Sequence, residues 1–117
     1  MSRTYISGKL HGLTVTSCRL DYHGSVTIAD ELLDAAGIDA YEQVHVVNLS
    51  SGARWVTYAL AGPPGSFELN GGGARLGVPG DRCVVMAYQQ ADAFGGAVAV
   101  HVDERNQPTG RVPYAGP

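Results

Sequence analysis

Two short clusters in the sequence contain residue types that could carry out chemistry. The first, Asp21–Ser25, has a carboxylate, an imidazole and a hydroxyl at alternate positions. The second, Arg54–Tyr58, combines a guanidinium, a hydroxyl and a phenol. The guanidinium of Arg54 offers a rigid fork that suits a carboxylate. The first cluster does not predict a Ser-His-Asp hydrolase, because neighbours two apart on one strand face rarely reach the geometry of a proton relay.

The motifs of several common enzyme classes are absent from the sequence. The run 71–73 does not fit a dinucleotide fingerprint, and there is no phosphate-loop Lys-Ser/Thr pair and no Gly-x-Ser-x-Gly elbow. The four histidines are dispersed, without the spacing of metal ligands: His11, His23, His45 and His101. Cys18 and Cys83 lie far apart in strand-like segments, which predicts small core residues. We therefore expect no metal site.

The composition predicts one ordinary domain over residues 1–117. The chain is 44% hydrophobic and 16% charged, with a formal net charge of −3. Its eight Lys and Arg residues are not clustered, so we expect no nucleic-acid or membrane partner. No apolar run approaches the roughly 20 residues of a membrane span, and the N-terminus lacks a signal core, which predicts a cytoplasmic protein. Its 16 glycines make up about twice the roughly 7% that is usual in proteins, so we expect this excess to serve structural roles within a folded domain.

The elements that must position the two clusters are mostly strands. Alternation of apolar and polar residues predicts strands over 13–18, 44–49, 54–61, 83–88 and 97–102. A helix is predicted over Asp30–Ala36, capped at Asp30 and ended by Gly37, with a second helical turn over 91–94. Residues 104–117 have no periodicity and predict a flexible or extended tail. This pattern indicates a mainly β barrel or sandwich but does not determine its topology.

Six short segments, in their order and spacing over roughly residues 1–90, resemble the aspartate 1-decarboxylase family. They are Gly8-Lys9-Leu10-His11, Tyr22-His23-Gly24-Ser25, Ala35-Ala36-Gly37-Ile38, Gly52-Ala53-Arg54-Trp55-Val56-Thr57-Tyr58, Asn70-Gly71 and Gly80-Asp81. The resemblance implies a pyruvoyl-dependent lyase that converts L-aspartate to β-alanine and CO2, for pantothenate biosynthesis or another pathway that uses β-alanine. It also implies a small double-psi β-barrel with one or two short helices, assembled as a homotetramer with active sites between subunits.

The resemblance further implies a zymogen that cuts itself between Gly24 and Ser25, leaving chains 1–24 and 25–117. The second chain then begins with a covalent pyruvoyl group made from Ser25, which forms a Schiff base with the substrate, so neither pyridoxal phosphate nor a metal is expected. Gly24 is expected to provide the bent, strained backbone that attack on its carbonyl needs. In the family the oxyanion donor corresponds to Thr57. Whether an accessory maturation factor is needed does not follow from the sequence.

Further roles come from the same resemblance. Lys9 and Arg54 are expected to bind the substrate's carboxylates, Tyr58 to protonate the α-carbon after decarboxylation, and Asn70 to hydrogen-bond the intermediate. Two supporting residues are expected beside them, His11 and Tyr22. Arg54 and Tyr58 share a strand face because their separation is even, whereas Thr57 points to the other face. Either a bulge or a neighbouring subunit must then bring the three together.

One segment departs from the family's pattern and leaves alternatives open. Relatives commonly carry alanines after the Asn-Gly pair, whereas in this chain Gly72 and Gly73 follow Asn70-Gly71. In the family this backbone lies against the substrate carboxylate, so the resemblance implies that Gly71, Gly72 and Gly73 line the substrate site. The missing methyl groups could admit a related acid such as 3-methylaspartate in place of L-aspartate. An alternative from a different class is a non-catalytic β-barrel that serves as a protein-interaction module, with Gly24-Ser25 as an ordinary turn.

Overall fold

The computed structural model describes residues 1–114 and consists mainly of strands. In chain order the elements are β1 (Arg3–Thr14), β2 (Ser17–Arg19), β3 (Ser25–Ala29), α1 (Asp30–Ala36), β4 (Gln43–Asn48), β5 (Arg54–Gly62), β6 (Phe67–Asn70), a 3-10 helix (Gly71–Arg75), β7 (Arg82–Ala91), β8 (Ala97–Val102) and β9 (Pro108–Tyr114). The strands form one mixed sheet in the order β2-β6-β3-β5-β4-β7-β1-β8-β9. This arrangement is compatible with a small double-psi β-barrel, so the expected mainly β class with one or two short helices is confirmed.

Helix α1 forms where the sequence predicts it. Its apolar side packs into the core through Leu32, Leu33 and Ala36. It ends at Gly37, whose φ of 70° is the left-handed conformation that lets its N–H bond back to the last turn. The predicted cap at Asp30 is wrong, because the N-cap is Ala29 and no side chain caps the helix. Asp30 instead lies in the first turn, where a negative charge interacts favourably with the helix dipole.

Two other local predictions need correction, whereas the tail was expected to be flexible or extended and contains an extended strand. The helical turn over 91–94 is wrong: Ala91 is the last residue of β7, paired with Arg3 of β1, and a bend follows it. The strand over 13–18 is interrupted because Val15 bonds to the backbone of the turn at 80–81 instead of a neighbouring strand. The tail expected over 104–117 contains β9, which pairs antiparallel with β8. Residues 115–117 lie outside the described residues.

The core lies inside the sheet, with α1 closing one side. All five residues of β3 are buried, which is expected for a strand covered on both faces. Cys83 is fully buried, and burial raises the pKa of its thiol to about 12, so it stays protonated. Cys18 packs against the edge of the core, so both cysteines are core residues as predicted. No helix among residues 1–114 is long and apolar enough to cross a membrane.

Asn106 ties the segment before β9 to the body of the domain. It is fully buried, with its Nδ2 donating to the carbonyls of Thr14 (2.9 Å) and Gly65 (3.0 Å) and its Oδ1 accepting from the Thr14 N–H (2.7 Å). Its φ is 60°, a left-handed conformation that asparagine tolerates better than most residues. A side chain therefore satisfies backbone groups that no strand partner reaches.

We expect Asn106→Ala to lower the free energy of unfolding by about 2–4 kcal/mol, because it leaves buried backbone groups without partners. Chemical denaturation monitored by circular dichroism measures this loss. The neighbouring exposed residue provides the control, since Gln107→Ala should stay within about 0.5 kcal/mol of the parent. Equal stability of the two variants would contradict this role of Asn106.

A second buried amide, Asn48 at the end of β4, organises the turns over residues 76–81. Asn48 is fully buried and donates from Nδ2 to the Leu76 carbonyl (3.0 Å) and to Asp81 Oδ2 (2.9 Å). The same carboxylate oxygen accepts the Val78 N–H at 3.1 Å. These hydrogen bonds, that of Asn48 foremost, hold the pKa of Asp81 below its usual value. The ionised form of Asp81 is therefore favoured by folding.

The sign of this shift predicts an acid-sensitive contribution to stability. Because the folded pKa of Asp81 is below its unfolded value, the stabilisation is complete above about pH 4 and is lost as the pH falls through the folded pKa. We expect Asp81→Asn to lower the melting temperature at pH 7 and to reduce its further decline between about pH 4 and pH 2. Asp39→Asn, at an exposed position, is the control; identical pH profiles for parent and Asp81→Asn would refute the prediction.

Candidate active site

The centre of the candidate site is the hydroxyl of Ser25, at the start of β3. Ser25 is 2% exposed, and its Oγ donates to the His23 carbonyl at 3.0 Å. Asn70, fully buried at the end of β6, lies opposite Ser25 in the antiparallel β3–β6 pair and donates from Nδ2 to that Oγ at 3.1 Å. The structure thus brings together two predicted site residues that are 45 positions apart in the chain.

The sequence analysis missed a third member of this cluster, Thr27. Asn70 Nδ2 also donates to Thr27 Oγ1 at 3.0 Å, while Asn70 Oδ1 is buried with no hydrogen-bond donor among residues 1–114. Thr27 shares a strand face with Ser25 because the two are an even number of positions apart. That spacing was the available signal, although it did not indicate that an amide would bridge the two hydroxyls.

The glycine that the backbone conformation requires in this site is Gly71, not Gly24 as the sequence predicted. A Cβ added at Gly24 would meet nothing within 4 Å, and Gly24 is not in the left-handed region, so the strained backbone predicted there is not observed. Gly71 has a φ of 65°, and a Cβ there would lie 2.7 Å from both the Cα and the N of Gly24 and 2.9 Å from the Tyr22 carbonyl oxygen. The close backbone approach in this site therefore occurs at Gly71.

Strand β5 carries three of the predicted residues. It pairs with β3 so that Val26 lies beside Ala59, both in the core, and the same register sets Tyr58 next to Ser25 on the other face of the strands. Arg54 shares that face by its even separation from Tyr58, and its side chain is exposed. Neither the β3–β5 nor the β4–β5 register contains a shift, so the bulge proposed to unite these residues is absent. Thr57 therefore lies on the opposite face.

Lys9 and His11 lie on β1, on the face opposite the buried Leu10. His11 pairs with His101 of the neighbouring parallel strand, and the two rings are 5.1 Å apart between centroids. Burial lowers the pKa of His11, and the positive charges of His101, Lys9 and Arg82 lower it further. The folded environment therefore favours the neutral form of His11.

The predicted residues form two separate groups in one chain. Ser25, Asn70 and Tyr58 lie on adjacent strands, whereas β1, with Lys9 and His11, is three strands beyond β5 in the sheet. Neighbouring strands are about 4.8 Å apart, so β1 lies about 14 Å from β5 along the sheet. No hydrogen bond among residues 1–114 joins the two groups.

The remaining predicted residues border the cluster. Tyr22 is 41% exposed, with the Arg19 guanidinium 4.7 Å above its ring. Beyond Gly71, the 3-10 helix continues through Gly72, where an added Cβ would meet nothing within 4 Å. At Gly73 an added Cβ would lie 3.0 Å from Nε1 of Trp55. The indole of Trp55 therefore occupies the space beside Gly73. Of these two glycines, Gly72 is the one with open space beside it.

A separate cavity of about 430 Å³ lies on the outer face of β1, β4 and β7, and it contains none of the predicted site residues. It is lined by Thr4, Gln43, His45, Tyr88, Gln89 and Gln90. Within residues 1–114, no three His, Cys, Asp or Glu side chains gather as metal ligands. The buried hydroxyl of Ser25, with its amide partner, is a stronger chemical feature than this cavity, whose lining has no Lys, Arg, Asp or Glu, so we assign the candidate site to Ser25.

Comparisons with known proteins point to one family. The family model described as aspartate decarboxylase matches residues 1–109. The chain is 52% identical over 92 residues to the aspartate 1-decarboxylase of Acaryochloris marina, which covers 77% of this chain and 70% of the relative. It is 43% identical over 115 residues to the aspartate 1-decarboxylase of Trichormus variabilis, covering 92% and 90%. With the aspartate 1-decarboxylase of Salinibacter ruber it shares 44% over 115 residues, covering 93% and 79%.

Proposed function

The chain belongs to the aspartate decarboxylase family, and on that premise we propose that it removes the α-carboxyl group of L-aspartate to give β-alanine and CO2. The relatives' names support the substrate. The observation that carries the proposal in this chain is the Ser25 hydroxyl, buried, bonded to Asn70 and directly preceded by the exposed Gly24. A nucleophile held this way beside a peptide bond is suited to cutting that bond.

The first step of the proposal is self-cleavage between Gly24 and Ser25. Ser25 Oγ attacks the Gly24 carbonyl carbon, the C–N bond breaks, and the nitrogen of Ser25 takes the hydroxyl proton, so an ester replaces the amide. Loss of the Ser25 α-proton then expels the Gly24 carboxylate and leaves dehydroalanine. Water displaces its nitrogen as ammonia, which converts residue 25 into a pyruvoyl group. The products are chains 1–24 and 25–117.

The surroundings of Ser25 fit a small carbonyl group at this position. The site is shielded from solvent, and Asn70 Nδ2, 3.1 Å from Ser25 Oγ, is a donor suited to a carbonyl oxygen. Asn70 Oδ1 is buried, has no hydrogen-bond donor within residues 1–114, and would accept an N–H that arrives with the substrate's amine. A pyruvoyl group supplies the electrophile and electron sink that pyridoxal phosphate supplies in other decarboxylases. Asn70 would therefore orient both the carbonyl group at residue 25 and the substrate's amine.

We assign carboxylate binding and proton transfer to residues of β5 and of a second copy of the chain. Arg54 is exposed and would bind a carboxylate through its two-pronged guanidinium. Tyr58, beside Ser25, would donate a proton to the α-carbon. Because Lys9 of the same chain lies three strands beyond β5, we assign the second cation to Lys9 of a neighbouring copy, in a homotetramer with sites between subunits. The site is incomplete without that copy.

A substrate assay tests the proposed reaction. Purified, cleaved protein is supplied separately with L-aspartate, 3-methylaspartate and L-glutamate, while released CO2 and the amine product are measured. We expect the highest kcat/KM with L-aspartate. The open space at Gly72 favours 3-methylaspartate as the second candidate, and a higher kcat/KM with that acid would replace the first. A fully cleaved protein that decarboxylates none of the three would contradict the proposed function.

A further inference from the structure

Gly71 has a contact that its expected role in lining the substrate site does not explain. It is buried at the start of the 3-10 helix and faces the backbone of Tyr22–Gly24, which leads into the scissile bond. The three nearest atoms to an added Cβ, at 2.7, 2.7 and 2.9 Å, are all backbone atoms of this segment. Unlike the end of a flexible side chain, backbone cannot rotate away, so only the absence of a side chain at residue 71 permits this approach.

We propose, on the basis of the self-cleavage put forward above, that Gly71 is a positioning residue for that cleavage. Its neighbour Asn70 holds the nucleophile, Ser25 Oγ, while Gly71 supports the backbone on the carbonyl side of the same bond. The consecutive residues 70 and 71 thus set the two reacting groups relative to each other. A Cβ at residue 71 would push the 22–24 segment by several tenths of an ångström before contacts returned to the ordinary range above 3.4 Å.

A displacement of that size matters because attack requires the oxygen and the carbonyl carbon to be aligned at close range. A misplacement of about 1 Å can cost about 100-fold in rate. We therefore expect Gly71→Ala to slow self-cleavage by about 100-fold, and Gly71→Asn to slow it similarly. Asparagine tolerates the left-handed backbone but still carries a Cβ, so it separates the steric contact from backbone strain.

The matched control is Gly37→Ala. Gly37 has nearly the same left-handed φ, 70° against 65° for Gly71, but a Cβ there would meet nothing within 4 Å. This variant bears the same backbone strain without the contact. Thermal unfolding of each variant establishes that it is folded, and intact-mass spectrometry over time then measures the fraction of chain cut after Gly24. We expect Gly37→Ala to cleave at nearly the parental rate.

Hydroxylamine locates the step that Gly71 controls, because under mild neutral conditions it cleaves esters far faster than amides. Fragment masses separate a cut after Gly24 from a cut at the Asn70-Gly71 bond, which alkaline hydroxylamine attacks. If Gly71 positions the attack, Gly71→Ala accumulates no ester, and hydroxylamine does not release the fragments. Rapid release of fragments would place the defect after ester formation and overturn the proposal. Parental cleavage in Gly71→Ala, recovery in Gly71→Asn, or equal slowing in Gly37→Ala would overturn it as well. A parental chain that stays uncut would instead overturn the proposed function itself.

Discussion

Ser25→Ala will leave the protein as one uncut chain of 117 residues, with turnover of L-aspartate below detection. The substitution removes the hydroxyl that attacks the Gly24 carbonyl in the proposed cleavage, so neither the ester nor the pyruvoyl group can form. Removal of Ser25 Oγ alone should leave the fold intact, since alanine fits the same buried strand position. Intact mass distinguishes the uncut chain from fragments of 24 and 93 residues.

Another buried serine provides the control for this experiment. Ser66 is 7% exposed, and its Oγ donates to the Pro63 carbonyl at 2.7 Å, away from the Gly24–Ser25 bond. Ser66→Ala should therefore cost some stability but still yield both fragments. Full turnover in an uncut Ser25→Ala chain would exclude the pyruvoyl mechanism. An uncut parental chain without activity, even after prolonged heating, would favour the non-catalytic interaction barrel.

Arg54→Ala will separate the two chemical steps, because its chain should cut itself normally yet process L-aspartate poorly. No hydrogen bond within residues 1–114 joins Arg54 to Ser25 or Gly24, and its exposed guanidinium is suited to a substrate carboxylate. Losing a charge-assisted bidentate pair typically costs about 3–4 kcal/mol, which corresponds to roughly 100- to 1000-fold in kcat/KM. Fragment masses and steady-state kinetics on the same preparation measure both steps.

Two further substitutions sharpen the Arg54 experiment. Arg54→Lys keeps the charge but loses the two-pronged geometry, so we expect an intermediate loss of kcat/KM. Arg3→Ala removes an exposed arginine from the first residue of β1 and should leave kcat/KM close to the parental value. If Arg54→Ala retained parental kinetics, the carboxylate would have to be bound elsewhere. If the Arg54→Ala chain did not cut itself, Arg54 would be required for self-cleavage as well as for substrate binding.

Local sequence signals predicted the elements whose structure depends on near neighbours. Helix α1 follows from its buried apolar positions and from Gly37, whose left-handed conformation ends it. The helical turn predicted over 91–94 is wrong, because β7 pairs with the long strand β1 and continues as a strand to Ala91. The 3-10 helix over Gly71–Arg75 was not predicted, since three consecutive glycines carry no helical pattern. In both cases contacts from distant parts of the chain override local propensity.

The glycines illustrate the same limit at the candidate site. The sequence marked Gly24 as the conformationally demanding residue, because it precedes the bond expected to break. The structure shows open space around Gly24 and a close backbone approach at Gly71. No property of the Asn70-Gly71 pair in isolation indicates that it lies against residues 22–24. That approach follows from the β3–β6 pairing, which aligns Ser25 with Asn70.

The sequence by itself determined the mainly β fold class and the family, and it predicted the reactive residues, because each inference depends on residue types and spacings along the chain. Only the tertiary structure decided which of them meet. Strand register places Ser25 with Asn70 and Tyr58, puts Thr57 on the opposite face, and keeps Lys9 three strands from β5. The physical reason is that register depends on pairing between distant segments, and a shift of one residue would turn every side chain to the other face.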